Sequence, residues 1–267
     1  IQYWRNLTSF DDDFFYQINS IYVGMVNYMD WIFGQLVDAV DDFDKKTNTT
    51  TGLIMSSDHG DFGGDYHLVE KWPGGGDDVL LRIPLVMRMP GGKQNVNITM
   101  PSANFDILAT MLDLANINIE FNSFGMSLKE QVIDGKEGDL NRYVYSEGGF
   151  SNNNEVFPGG SDHITNEKNL YWPRAEEEMS DNGHGSPRWV CLRNAYWKMV
   201  FRAIGVSELY DLEKDPRQLN NLFTSTDEKY VSIRDQLVTN LTAWFVQTAD
   251  VTPILMDPRG LPKQVAN

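Results

Sequence analysis

The 267-residue chain is long enough for one large domain, or for one domain and part of a second. Its 41% hydrophobic and 12% aromatic content predicts a folded core over most of the length. A formal net charge of -16 argues against nucleic acid as a general partner, because phosphate binding needs a basic face. The net charge does not exclude a small anionic substrate. Salt screens charges over about 8 Å, so a local basic pocket can outweigh a distant acidic surface. No apolar run approaches the ~20 residues of a membrane-spanning helix, and a single cysteine, Cys191, excludes an internal disulfide bond.

A long amphipathic helix is predicted from Phe14 to Val40. Apolar residues recur there at three- and four-residue spacing, which predicts one buried stripe. The segment Gly52–Ser57 (GLIMSS) is typical of a short buried strand, and Asp58 and His59 follow it directly. Because ligands of open α/β sheets bind outside the carboxyl ends of the strands, Asp58 and His59 stand where a site is expected.

The next elements continue an α/β pattern. Residues 82–92 (RIPLVMRMPGG) predict a strand that ends at Pro-Gly, and Ser102 is predicted to cap a helix through 104–117. That helix carries Phe105, Leu108, Leu112 and Ala115 on one side.

The character of the chain changes after about residue 140. Four short β-type runs predict a small antiparallel sheet: RYVYSEGG (142–149), WVCLRN (189–194), WKMVFR (197–202) and SELYDL (207–212). Residues 151–188 are polar and rich in Gly and Asn, which predicts long loops. A last helix is predicted from Asp227 to Gln247, with five apolar residues facing inward: Ile233, Leu237, Leu241, Trp244 and Phe245.

Asp58 and His59 allow two interpretations when taken alone. Ser, Asp and Gly all favour turns, so the SSDHG segment is compatible with a simple turn after a strand. The other interpretation is a pair of adjacent metal ligands at a strand end. The two residues by themselves leave both open.

A series of motifs in collinear order resembles the sulfatases of the alkaline-phosphatase-like superfamily. The motifs are SSDHG (56–60), GGDYHLVEK (63–71), LRIPLVMRMPGG (81–92), FDILATMLDLANI (105–117), LRNAYWKMVFR (192–202) and ELYDLEKDPRQLNNL (208–222). The resemblance implies an α/β fold in which residues 1–140 are the C-terminal part of the catalytic domain. Residues 141–267 are then a C-terminal subdomain with an antiparallel sheet and a terminal helix.

The resemblance also implies roles for three residues. Asp58 and His59 match two ligands of the family's divalent cation, which is usually calcium. A histidine nitrogen is an unusual calcium ligand, so another divalent ion stays open. Lys71 matches the lysine that contacts the sulfate group, where it would neutralise developing charge; the alternative is a solvated surface lysine.

The chain departs from the family where the lysine loop often has His-Gly, because it has Tyr66-His67 there. Tyr66 is therefore a candidate substrate-binding residue and His67 a candidate catalytic residue, with an exposed loop histidine as the alternative for His67. In the polar excursion, His184 is a candidate substrate-binding residue. His163 and Glu147 are weaker candidates, and a structural role is the alternative for all three.

The larger departure concerns the nucleophile. Sulfatases attack sulfur with a formylglycine made from the Cys or Ser of a C/S-x-P-x-R motif, and this motif lies well upstream of the Asp-His turn. Cys191 in VCLRN is no such motif and is predicted to be a buried strand residue. The resemblance therefore implies hydrolysis of a sulfate ester, possible only when an N-terminal segment or chain supplies the nucleophile and completes the sheet. Two alternatives stay open: a phosphodiesterase or phosphonate hydrolase of the same superfamily, and a non-catalytic sulfatase-like binding subunit.

Four N-x-[ST] sequons, at Asn6, Asn48, Asn97 and Asn240, are candidate glycosylation sites. Together with the resemblance they favour a secreted or lysosomal protein, for which a sulfated carbohydrate is a reasonable substrate.

Overall fold

The computed structural model describes residues 7–71, 75–149 and 187–249. The helices are α1 (Asp12–Thr47), α2 (Asp78–Leu81), α3 (Phe105–Leu114), α4 (Lys129–Asp134) and α5 (Glu228–Thr248), with short 3-10 turns at Leu7–Ser9 and Asp65–His67. The strands are β1 (Leu53–Ser56), β2 (Leu85–Arg88), β3 (Val144–Gly148), β4 (Trp189–Arg193), β5 (Trp197–Arg202) and β6 (Glu208–Asp211). The predicted mixed α/β fold with an antiparallel sheet and a terminal helix is confirmed.

Helix α1 has well-formed ends. The side chain of Asp11 accepts a hydrogen bond from the backbone N–H of Phe14 at 3.1 Å, which is an N-cap. At the other end Asn48 adopts the left-handed conformation and its N–H bonds to the carbonyl of Asp44. Acidic residues in the first turn and lysines in the last turn complement the helix dipole. The sequence therefore encodes both ends of this 36-residue helix.

The predicted buried stripe of α1 is only partly covered. Phe15 is buried, and a row of residues at helical spacing is half-buried: Ile18, Tyr22, Phe33, Val37 and Val40. A second apolar row is exposed, made up of Ile21, Met25, Tyr28, Met29, Ile32 and Leu36. We call these six residues the exposed apolar face of α1. The prediction of one buried stripe is therefore wrong for the described residues, because the two-stranded sheet formed by β1 and β2 is too narrow to cover so long a helix.

Strands β1 and β2 pair antiparallel, with Leu53 opposite Arg88 and Ser56 opposite Leu85. Arg88 also reaches α1, where its Nη2 lies 2.6 Å from Oδ1 of Asp41. This hydrogen bond lowers the pKa of Asp41 from its usual value, and the charge of Arg88 adds to the effect. The ion pair ties the end of β2, which lies opposite Leu53 at the start of β1, to α1.

A buried ion pair between Asp106 and Arg142 lies at the start of α3, and Ser102 does not cap the helix. The Asp106 carboxylate is fully buried and accepts hydrogen bonds from the N–H groups of Ala103 and Met126. Both terminal nitrogens of Arg142 donate to it at 2.7 Å. The capping prediction for Ser102 is wrong, because the helix begins at Phe105 with Asn104 at its N-cap position. On the predicted apolar side of α3, Phe105 and Leu108 are exposed.

The second sheet has four strands in the order β3-β4-β5-β6, and β5 pairs antiparallel with β6. Cys191 is buried in β4, which confirms its predicted place in a strand. Leu237 and Leu241 of α5 are buried, and the Trp244 ring stacks on Tyr145 with centroids 4.6 Å apart. Trp244 is half-buried as predicted, whereas Phe245, also predicted to face inward, is exposed.

The described residues form two compact units. The first holds residues 7–71, 75–90, 146–149, 187–190 and 201–206, and the second holds 91–145, 191–200 and 207–249. The predicted domain division at residue 140 stays a prediction. Among the described helices, none is both long enough and apolar enough to cross a membrane.

Candidate functional site

Asp58 and His59 lie together at the carboxyl end of β1. Oδ2 of Asp58 is 3.3 Å from Nε2 of His59, and both side chains reach solvent. The segment around them is closed by short hydrogen bonds: Ser57 Oγ donates to the carbonyl of His59 at 2.7 Å, and Asp58 Oδ1 accepts from the His59 N–H at 2.9 Å. The turn predicted from composition is therefore present, and it brings the two candidate ligands side by side.

The orientation of the His59 ring suits a metal ligand. Nδ1 lies 2.8 Å from the carbonyl oxygen of Gly60, which only accepts, so Nδ1 carries the proton of this bond. In the neutral ring, Nε2 then presents its lone pair toward a carboxylate oxygen of Asp58. Two acceptors at this distance require a proton or a cation between them. Ligand atoms in adjacent positions around a divalent cation lie about 3.0–3.5 Å apart, given metal–ligand distances of about 2.1–2.5 Å, so the pair fits two positions of such a site.

Local hydrogen bonds favour the charged form of Asp58. The N–H of His59 lowers the pKa of this carboxyl from its usual value, and the hydroxyl of Ser57 contributes in the same direction. A carboxylate that stays ionised is the form that binds a cation. Among the described residues, no group of three or more His, Cys, Asp or Glu side chains is arranged to hold a metal ion. Asp58 and His59 thus supply two donors where calcium takes six to eight.

The segment from Gly60 to Lys71, which we call the lysine loop, is anchored at both ends. Gly60 donates to the carbonyl of Leu80 at 2.8 Å and packs so closely on the carbonyl of Val79 that a side chain has no room. Phe62 is buried against Leu80, and its N–H bonds to the carbonyl of Glu70 at 2.9 Å. Because Lys71 follows Glu70, this bond ties the lysine to the backbone that carries His59.

The lysine loop contains an unusual backbone. Tyr66, His67 and Glu70 have φ values of 56°, 55° and 66°, in the left-handed region that residues other than glycine rarely adopt. Gly64 also has a positive φ, and a side chain there would meet the carbonyl of Phe15 at 2.8 Å. Such strain persists only where surrounding contacts offset its cost.

His67 makes its contacts with α1. Its ring stacks on Phe15 with centroids 4.5 Å apart and planes within 4°, and its Nε2 is 3.0 Å from Oδ1 of Asp12. Tyr66 is 43% exposed and meets the Phe62 ring edge-on. The predicted catalytic role of His67 and the predicted substrate-binding role of Tyr66 stay predictions.

Lys71 is exposed. Residues 57–71 contain four acidic side chains (Asp58, Asp61, Asp65 and Glu70) and no other lysine or arginine. Lys71 is therefore the only lysine or arginine of this segment. Its predicted contact with sulfate stays a prediction.

The remaining candidates are spread over the chain. Glu147 is exposed on β3, whereas His163 and His184 lie outside the described residues. Of the sequon residues, Asn48 and Asn97 are exposed, and Asn240 is half-buried in α5 with its side chain hydrogen-bonded to Tyr143. Asn6 lies outside the described residues.

Sequence reasoning missed the part of α1 that supports the lysine loop. Asp12 and Phe15 contact His67, and Asn19 Nδ2 lies 3.4 Å from the carbonyl of Gly63. These residues are more than forty positions away in the sequence, and no local motif marks them. Their three- and four-residue spacing places them on one helix face, which is the only signal that a sequence could offer.

The chain is similar in sequence and in structure to known hydrolases. Residues 5–117 match the family model described as Sulfatase. The chain is 26% identical over 212 residues to an arylsulfatase of Clostridium perfringens, which covers 78% of the chain and 36% of that protein. It resembles the phosphonate monoester hydrolase of Agrobacterium radiobacter with a TM-score of 0.65 at 22% identity, over 92% of the chain and 45% of that protein.

A further solved structure shows the same fold. It is a complex with the substrate D-glucosamine-2-N,6-O-disulfate, matched with a TM-score of 0.57 at 21% identity over 82% of the chain and 38% of that protein. The chain spans a little over a third of the length of the curated relatives that it matches, 36% for two of them and 37% for another.

Proposed function

We propose that this chain is part of a sulfatase that hydrolyses a sulfate ester, because residues 5–117 match the family model described as Sulfatase. The observation that carries the proposal is the pairing of Asp58 with His59 at the carboxyl end of β1. The lysine loop also supports the proposal. It is hydrogen-bonded to the backbone that follows His59, and it carries Lys71, the only lysine or arginine of residues 57–71.

In this proposal Asp58 and His59 hold a divalent cation, with Asp58 Oδ2 and His59 Nε2 as ligands. When bound, the cation supplies positive charge beside the sulfate oxygens and the attacking group. Gly60 keeps the imidazole in the tautomer that leaves Nε2 available, because its carbonyl accepts the Nδ1 proton. Calcium is the cation we propose. The imidazole ligand leaves a softer divalent ion as the alternative.

Lys71 binds a sulfate oxygen in this proposal. An ammonium near the transferred group stabilises negative charge that grows in the transition state, and it does so most strongly where water is excluded. Tyr66, which is partly exposed in the same loop, contacts the remainder of the substrate. For the substrate we propose a sulfated carbohydrate.

The assay for this function compares sulfate esters with phosphate and phosphonate esters that have the same aryl leaving group. The full-length protein, with its cation, is expected to release inorganic sulfate from an aryl sulfate faster than phosphate from the matching aryl phosphate or phosphonate ester. Sulfate and phosphate are measured by ion chromatography under the same conditions. Faster release of phosphate would favour the phosphonate hydrolase or phosphodiesterase alternative, and no release from any ester would favour a binding subunit.

The nucleophile and the other cation ligands are proposed to come from residues outside this chain's described part. Cys191, the one cysteine, is buried in β4, which supports a nucleophile from elsewhere. The exposed apolar face of α1 supports a partner segment, because a helix that is apolar on two faces is normally covered on both. We propose that an N-terminal segment of the same sulfatase covers this face and completes the sheet, with an interface above about 2,000 Å².

A charge placed on the exposed apolar face tests that partner segment. Met25→Asp should destabilise the full-length protein by about 3 kcal/mol or more, because the partner segment would bury an unpaired carboxylate. In residues 1–267 alone the same change should cost little, since Met25 is exposed there. Asn27→Asp, on the opposite side of α1, is the matched control. Urea denaturation gives the free energies of unfolding, and equal effects of Met25→Asp in both proteins would contradict the proposal.

Secretion or a lysosomal location is also proposed, since it suits a sulfated carbohydrate substrate. Under that proposal Asn48 and Asn97, which are exposed, are the glycosylation sites best placed to carry a glycan. Asn240 is a poorer glycan acceptor, because it lies within α5 and its side chain is hydrogen-bonded to Tyr143.

A further inference from the structure

His67 occupies a conformation that its own backbone disfavours. Its φ of 55° follows the φ of 56° at Tyr66, so two bulky residues in succession lie in the left-handed region. Glycine adopts this region without a steric penalty, whereas a histidine remains there only if its side chain makes contacts that offset the cost. The side chain of His67 makes two such contacts, a stacked ring and a charged partner, and both belong to α1.

The contacts continue along one face of α1. Asp12 and Phe15 contact His67, the carbonyl of Phe15 lies against Gly64, and Tyr22 lies under Gly63. Asn19, between Phe15 and Tyr22, reaches the carbonyl of Gly63 at 3.4 Å. Residues 12, 15, 19 and 22 follow a three- and four-residue spacing, so they form a single row on the helix. The lysine loop therefore rests on the first three turns of α1.

This row is connected to Lys71 by backbone hydrogen bonds. Gly64 donates to the carbonyl of Leu68, and Phe62 donates to the carbonyl of Glu70, both at 2.9 Å. A displacement of residues 63–67 from α1 would therefore be passed to Glu70 and to the lysine that follows it.

We propose that Asp12 and Phe15 hold His67 as a clamp, and that this clamp fixes the lysine loop in the shape that presents Lys71. His67 is then a positioning residue and not the proton donor to the leaving group, because its ring lies flat on Phe15 and its Nε2 faces Asp12. A proton donor must come within about 2.6–3.2 Å of the leaving oxygen. The role in turnover rests on the proposed sulfatase function, whereas the clamp itself does not.

The test uses three variants of the full-length protein and one control. His67→Gly and His67→Asn remove the ring, while both residues accept a positive φ. Asp12→Asn removes the charged partner. Asp13→Asn is the control, since it removes the same charge from the same turn of α1 and Asp13 is exposed.

Two readouts are measured on each protein. For sulfate-ester hydrolysis, we expect kcat to fall about tenfold in both His67 variants and about threefold in Asp12→Asn, with a smaller change in KM. Asp12→Asn combined with His67→Gly should be no worse than His67→Gly alone, because both changes break one clamp. For amide hydrogen exchange, we expect residues 62–71 to exchange several times faster in all three variants and at the wild-type rate in Asp13→Asn.

The two readouts separate this proposal from the proposed function. If the wild-type protein hydrolyses no sulfate ester, the proposed function fails, and exchange in residues 62–71 still decides whether the clamp exists. Unchanged exchange in His67→Gly and Asp12→Asn would overturn the clamp. A loss of kcat above a thousandfold in both His67 variants with an unaffected Asp12→Asn would assign proton transfer to His67 and overturn its positioning role.

Discussion

Lys71→Ala in the full-length protein is expected to lower kcat/KM for a sulfate ester by about 100-fold or more. The ammonium would stabilise negative charge on the transferred group, and removal of one such group from an enclosed site typically costs 10²–10³ in rate. The loss should fall mainly on kcat, because the charge grows in the transition state. Steady-state kinetics with an aryl sulfate measures the effect.

Two further variants serve as controls for Lys71→Ala. Lys71→Arg keeps the charge in a larger, planar group and should retain more activity than Lys71→Ala. Lys46→Ala removes an exposed lysine from the last turn of α1 and should change kcat/KM less than twofold. Equal, near-normal rates in Lys71→Ala and Lys46→Ala would show that Lys71 is a solvated surface residue.

Asp58→Asn is expected to lower kcat by about 100-fold or more, through loss of the cation. An amide is nearly the same size as the carboxylate but carries no charge, so the change tests charge with little effect on packing. Asp58 is exposed in the described structure, and the stability of the fold should therefore change little. Kinetics together with thermal unfolding separates the two effects.

Asp65→Asn is the matched control for Asp58→Asn. Asp65 is an exposed carboxylate in the lysine loop and is no candidate ligand. Its substitution should leave the rate within about twofold of the wild type, as is usual for an exposed position. A rate in Asp58→Asn that excess cation restores would still support the site, whereas an undiminished rate without added cation would contradict it.

Local signals in the sequence were sufficient for the two long helices and the strands, whereas the short helices α2 and α4 were not predicted. The apolar spacing and the charged ends of α1 predict a helix from Phe14 to Val40, and the structure extends it to Asp12–Thr47. The four β-type runs after residue 140 correspond to β3 through β6. These predictions succeed because periodicity and turn residues act over a few positions.

Burial was predicted less well, because it depends on what lies across from each face. The spacing in α1 identifies apolar positions, but it does not say which of them the chain itself covers; Ile21 and Met25 are exposed and Phe15 is buried. The buried ion pair at the start of α3 was missed for a related reason. Asp106 lies just inside the helix and is stabilised by Arg142, which is 36 positions away.

The sequence predicts the residues of the candidate site but not the contacts that hold them in place. The motif order points to Asp58, His59 and Lys71, but the tautomer of His59 depends on the carbonyl of Gly60 in the folded turn. The role of α1 beneath the lysine loop depends on a contact between residues 12 and 67, which no local pattern encodes. For this reason His67 is predicted from sequence as a catalytic candidate, whereas its contacts favour positioning.

The most direct measurement is the cation content of the full-length protein, determined by elemental analysis after dialysis against metal-free buffer with low cation. The account predicts one tightly bound divalent cation per chain in the wild type and in Asp65→Asn. It predicts a content near zero in Asp58→Asn, with sulfate-ester hydrolysis lost in proportion. A full complement of cation in Asp58→Asn, with undiminished hydrolysis, would contradict the assignment of Asp58 and His59 as the cation site.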